Sequence, residues 1–323
     1  MRPTRLLAVL LLGLGCTGVV TGTLARPVGD AGSKSADDAG LPNDAGTDAG
    51  TPPPDSGTPP PDGGIVPPLG RDYSTDSSKF FGDSRCAKAG LELCDGFESG
   101  AVDMSLWTVQ GTAPTLDSIH VARGAKALHI KGGINQASFL HETKTFPATD
   151  NAYYGRMFVY FSAFPSAPGM PYAHWTLVAA TGTGVTGQIR VGGQMQSRFA
   201  KGPLNYFGVG TDSQGSSTGT GDWTNSDNDP SGAATPLPLN QWMCLEWMHD
   251  GAHDTTSFWW DAVHHASLDT SASKHGGNAN PYVLPKFDKL AIGWQEYQAD
   301  NGESLELWID EVAVDSTRIG CVL

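Results

Sequence analysis

The chain has 323 residues, with 34 Asp and Glu against 20 Lys and Arg, for a formal charge of −14. That balance counts against a nucleic-acid or anionic-membrane partner. With 41 Gly, 22 Pro and 17% charged residues, the composition excludes a coiled coil or helical repeat. No apolar run reaches the ~20 residues of a spanning helix.

Arg2 and Arg5 precede an apolar stretch from Leu6 to Gly15, the layout of a secretory signal over residues 1–25. Two cleavages stay open. Leu14-Gly15-Cys16 resembles a lipoprotein site and would leave a lipid anchor on Cys16, although Gly13 stands where Leu is usual. Thr23-Leu24-Ala25 instead ends in the small residue that ordinary signal peptidase requires. Both cleavages imply export, to the extracellular space or the cell-envelope surface.

Residues 26–70 are low in complexity. Asp-Ala-Gly recurs four times between Asp30 and Gly50, followed by two copies of Thr-Pro-Pro-Pro-Asp between Thr51 and Asp62. Such a segment buries too little apolar surface to offset its ordering entropy. It reads as a disordered spacer, stiffened by its Pro triplets.

Apart from Cys16, the cysteines are Cys86, Cys94, Cys244 and Cys321. Four cysteines in an exported chain imply two disulfides, with three possible connectivities. Cys86 and Cys94 are close enough in sequence to close a small loop, so Cys86–Cys94 with Cys244–Cys321 is the favoured pairing. The chain has no C-x-x-C pair that would favour zinc.

Residues 71–323 form one domain, expected as a monomer. Strand signals separated by Gly, Asn, Asp and Pro clusters predict strands over 118–122, 126–131, 137–146, 153–162, 174–181, 187–196, 241–249, 256–260, 263–268, 288–297 and 304–315. So many strands in one domain predict an all-β fold, a two-sheet jelly-roll sandwich of concanavalin type. The stretch 200–240 lacks periodicity and reads as a long functional loop.

Alternation along three strands separates a core face from a polar one. From Gln188 to Gln196 one face carries Gln188, Arg190, Gly192 and Gln194. Beyond Leu290 one face carries Ala291, Gly293, Gln295 and Tyr297, and near 153–161 one carries Tyr154, Arg156, Phe158 and Tyr160. Gln, Arg and Tyr on a sheet face suit a polysaccharide, whose hydroxyls take paired hydrogen bonds and whose rings stack on aromatics.

Several segments resemble, in order, motifs of the cellulose-induced protein family of fungi and bacteria. They are Leu93-Cys94-Asp95-Gly96-Phe97-Glu98 with Trp107, Tyr154-Gly155-Arg156, Arg190-Val191-Gly192-Gly193-Gln194, Trp242-Met243-Cys244-Leu245-Glu246, Leu290-Ala291-Ile292-Gly293-Trp294 and Arg318-Ile319-Gly320-Cys321. The resemblance covers about 90–323. It implies a β-jelly-roll, a bound calcium ion and structural kinship with glucuronan and alginate lyases. It does not fix an activity.

A polyuronate lyase must neutralise the sugar carboxylate and place a base for the weakly acidic C5 proton. Arg190 and Gln194 supply the first need as preorganised donors. Tyr297, with His174 as second candidate, supplies the proton work. Arg156, Gln188, Gln295 and Tyr154 are read as substrate-binding. A glycosidase needs two nearby carboxylates, and Glu306, Asp310 and Glu311 miss the strand spacing for it. For calcium, Glu98 and Asp310 are the best pair, because the first and last strands of a sandwich can lie adjacent, and the Gly124 turn offers carbonyl oxygens. The five histidines from His249 to His275 are read as surface residues. Three readings follow: a lyase acting on an acidic polysaccharide, a non-catalytic polysaccharide-binding protein, and an envelope structural protein. An anionic substrate requires Arg156, Arg190 and Lys289 to concentrate positive potential locally.

Overall fold

The computed structural model describes residues 70–132, 136–142, 144–164, 172–185, 187–196, 204–211, 222–225, 236–275, 282–297 and 305–323. The expected signal segment, Cys16 and all but the last residue of the 26–70 spacer lie outside them.

The described strands run, in chain order, β1 Leu93–Asp95, β2 Thr108–Gly111, β3 Thr115–Asp117, β4 Ala127–Gly132 and β5 Ala137–Glu142. Next come β6 Ala152–Phe161, β7 Tyr172–Thr183, β8 Ile189–Gln196, β9 Leu204–Thr211 and β10 Asp222–Asn225. The last are β11 Trp242–Asp250, β12 Thr255–Trp260, β13 Val263–His264, β14 Lys286–Glu296 and β15 Leu305–Asp315.

They form two antiparallel sheets packed as a sandwich. The first has the order β13-β12-β11-β6-β15-β4-β3, with β1 on β15, and the second β10-β9-β8-β7-β14-β5-β2. The non-consecutive neighbours are the crossovers of a jelly roll. The first strand does pair with the last, Cys94 standing opposite Ala313.

The alternation read from the sequence has its cause in the core between the sheets. Trp175 and Trp294 stack at 5.4 Å between centroids, and Phe161 packs on both. All three are fully buried, and each such side chain contributes roughly 1.5–3 kcal/mol of hydrophobic stabilisation. The disulfides are Cys86–Cys94 and Cys244–Cys321. Among the described residues no helix is long and apolar enough to cross a membrane.

Three expectations need correction. Of the strand expected over 263–268 only Val263–His264 is extended, because Ala266–Leu268 forms a 3-10 turn closed by the Leu268 amide on the His265 carbonyl at 2.8 Å. The stretch 200–240 is not all loop, because it contains β9 and β10. In β9 the glycines at 208 and 210 dilute β-propensity, yet Phe207 and Val209 face the core, and Asn205 accepts a bond from the Trp175 indole at 3.0 Å. Residues 118–122 are not a strand. The Asp117 carboxylate accepts the Ile119 amide at 3.0 Å and turns the chain just after β3.

Candidate active site

The face of the second sheet that points away from the core gathers all four residues expected to be catalytic. Strand register arranges them in rows across the sheet. His174 on β7 stands opposite Gln194 on β8, which stands opposite Tyr206 on β9. Tyr297, just past β14, joins this row because its amide donates to the His174 carbonyl at 3.1 Å. In the next row Gln295 stands opposite Thr176, and Thr176 opposite Gly192. In the third, Ala291, Ala179 and Arg190 are aligned.

Side chains tie the rows together. Thr176 Oγ1 donates to the Tyr297 hydroxyl at 3.3 Å. The Arg190 guanidinium carbon lies 5.5 Å from the Tyr297 ring centroid. His174 Nε2 lies 3.1 Å from Gln194 Oε1. The face is recessed, with Gln194 only 4% and Arg190 8% exposed. Gly192 is required there, since a Cβ would fall 2.1 Å from the Trp175 carbonyl oxygen on β7.

Burial, and then the neighbouring Arg190 charge, push His174 down to about 4. The ring is therefore neutral at pH 7. With Nε2–H donating to Gln194, the basic lone pair is on Nδ1. Arginine, glutamine, a neutral imidazole and a phenol around small backbone residues can neutralise a carboxylate, remove a weakly acidic C–H proton and protonate a leaving oxygen. Thr176 is the member that sequence reading missed. Its place is set by an irregularity between Thr176 and Val178, which breaks the simple alternation along β7.

Of the residues read as substrate-binding, Gln295 lies on this face, and Gln188 sits immediately before β8. Arg156 and Tyr154 do not belong to it. They are on β6, in the other sheet. Arg156 is fully buried and donates to Glu311 Oε2 at 3.2 Å and to the Leu323 carbonyl. Arg123 shares the same Glu311 oxygen at 2.8 Å. Burial alone would push the Glu311 carboxyl up. The Arg156 charge and the bonds from Arg85 and Ser84 outweigh it and hold the group below the usual carboxylate range. Polar alternation on β6 therefore marks a buried ion cluster rather than a ligand face. His249 is also corrected from surface to core. It is fully buried, with Nδ1 2.8 Å from the Tyr153 hydroxyl.

Glu98 and Asp310 hold opposite ends of one turn. Asp310 accepts from the amides of Ala122 and Arg123, both at 2.9 Å. Glu98 accepts from Ala125 at 2.9 Å and from Lys126 at 3.1 Å. Gly124 lies between them at φ +74°, and a Cβ there would fall 2.2 Å from Glu98 Oε1. Burial pushes Asp310 up to about 8, against the amide bonds that favour its anion. Both carboxylates spend their oxygens on main-chain amides, Asp310 Oδ1 taking that of Glu311 at 2.7 Å.

The structure is similar to that of a cellulose-induced protein, Cip1, at 20% identity and a TM-score of 0.49, covering 71% of this chain and 99% of that one. It is similar to the alginate lyase AlyC3 at 11% identity and a TM-score of 0.40, over 58% and 74% of the two chains. The binding domain of botulinum neurotoxin serotype G is matched at 9% identity and a TM-score of 0.42, over 72% and 49%. These likenesses concern the fold alone. Neither a family model nor a curated protein matches the sequence.

Proposed function

We propose that the protein is an exported carbohydrate-active protein that binds an acidic polysaccharide on the recessed face of the second sheet and cleaves it by β-elimination. The observation that carries this reading is the convergence of Arg190, Gln194, His174 and Tyr297 on one face. Arg190 and Gln194 bind and neutralise the uronate carboxylate, which acidifies the C5 proton. His174, through Nδ1, or Tyr297 takes that proton. The C5–H electrons form the C4–C5 double bond, the C4–O4 bond breaks, and the Tyr297 hydroxyl protonates the leaving oxygen.

Two disulfides suit an oxidising compartment. Calcium held by Glu98 and Asp310 would neutralise the buried carboxyl and fix the 122–126 turn, remote from the proton chemistry. Incubation with glucuronan, alginate, pectin and cellulose tests the activity. Unsaturated product absorbing near ~235 nm reports elimination. Retention of a polymer without product would instead identify a binding protein.

A further inference from the structure

The third row of the recessed face continues beyond Ala291. Arg190 stands opposite Ala179, Ala179 opposite Ala291, and Ala291 opposite His141 on β5. Arg190 and His141 thus mark the ends of one line across four strands, about 14 Å apart at three interstrand steps of ~4.8 Å. Only two alanine methyl groups lie between them on this line. Lys289 is two residues from Ala291 along β14, on the same face, opposite Thr181.

Lys289 and His141 act on each other. After burial, the Lys289 charge is the second cause that holds the His141 imidazole below its ordinary range. His141 Nε2 is buried, and no hydrogen bond from the described residues reaches it. Glu142 faces the other way and accepts from the Lys144 amide and from Thr145, while Asp288 is exposed next to Lys289, at the irregularity between Phe287 and Lys289. The far end of the line therefore carries an ammonium and an imidazole, and the buried Glu142 carboxylate beside them is engaged by its own turn.

We infer that Lys289 and His141 form a second carboxylate-binding subsite, which receives another uronate of the chain whose reacting unit lies at Arg190. The inference rests on the polyuronate reading above and extends it from one sugar to a defined length. The span of about 14 Å is two to three pyranose units, so an oligomer of four or more engages both ends while a dimer engages one. The alanine pair is a smooth floor over which the intervening ring passes. The ligand class is an unbranched polymer that carries carboxylates along its length. A neutral glucan has nothing for the ammonium.

The test is a calorimetric titration of wild type, Lys289→Met and His141→Gln with 1,4-linked oligouronates of two to six units, with cellohexaose as the neutral control. Lys289→Met should weaken hexamer binding about tenfold and leave dimer binding unchanged. It should also lower the salt dependence of hexamer binding. His141→Gln should give a smaller loss with the same length dependence. If Lys289→Met binds the hexamer as wild type does, or loses affinity equally for dimer and hexamer, the second subsite is overturned while the reading of the Arg190 site stands. If wild type binds no oligouronate of any length, both fall together.

Discussion

The main-chain amide of Tyr297 donates to the carbonyl of His174 at 3.1 Å. One backbone bond therefore holds the two candidate proton carriers side by side, whatever their side chains do. A substitution at either position changes chemistry without moving the other residue.

Tyr297→Phe should lower elimination by about 100-fold or more, the usual contribution of a general acid or base. It removes the hydroxyl that accepts from Thr176 and keeps the ring beside Arg190. Melting temperature should stay within a degree or two, because Tyr297 lies outside the core cluster. A variant with the full wild-type rate would exclude Tyr297 from the mechanism and leave His174 as sole base.

Asp310→Asn tests the calcium proposal. Chelator should lower the melting temperature of wild type, because binding only to the native state stabilises by mass action. The variant should melt at one temperature with or without chelator. Wild type that ignores chelator would refute the site.

Glu311→Gln should destabilise by about 3–5 kcal/mol, since it leaves the buried guanidinium groups of Arg123 and Arg156 without their shared anion. Urea denaturation at pH 7 measures it. A loss under 1 kcal/mol would mean that the Leu323 carbonyl, which both arginines also reach, suffices.

Acid should weaken the fold through the buried histidines. Burial holds His249 down to about 3, and burial with Arg190 holds His174 at about 4, against ~6.5 in the unfolded chain. Between those values the unfolded chain binds protons that the native state refuses. Their contribution is complete above pH ~6.5 and is lost as pH falls towards 4, at up to about 1.4 kcal/mol per pH unit for each group. His249→Gln should flatten the decline in urea midpoint between pH 7 and pH 5. An identical decline in both proteins would remove His249 as a source of it. If His174 is the catalytic base, the acid limb of the rate should lie near pH 4 rather than near 6.5.

Cys244–Cys321 closes a sequence separation of 77 residues, worth about 4 kcal/mol in the chain-entropy model. The Cys244→Ala, Cys321→Ala double variant should lose most of that in urea denaturation. Non-reducing peptide maps should show the 244–321 pair in wild type, and a 94–244 peptide would contradict the connectivity.

The sequence alone determined that the chain is all-β and that β8 and β14 each have one core face and one polar face, because a period-two pattern survives in any register that buries it. The shared polar face of Arg190 and Gln194, and the side on which Tyr297 falls, were legible for that reason, and the ordered motifs include Arg190 and Gln194. Pairing across the sheets was not legible, since it depends on contacts far apart in the chain. Only the tertiary structure showed that Arg156 and Tyr154 belong to the opposite sheet, where Glu311 and Leu323 enclose the Arg156 guanidinium. The same polar alternation marks the candidate ligand face on β8 and a buried ion cluster on β6, and local sequence cannot tell which face another segment will cover. Strand order likewise put Thr176 beside Tyr297 and aligned His141 with Arg190 across four strands. Such rows arise from register between strands, a property that no single strand encodes.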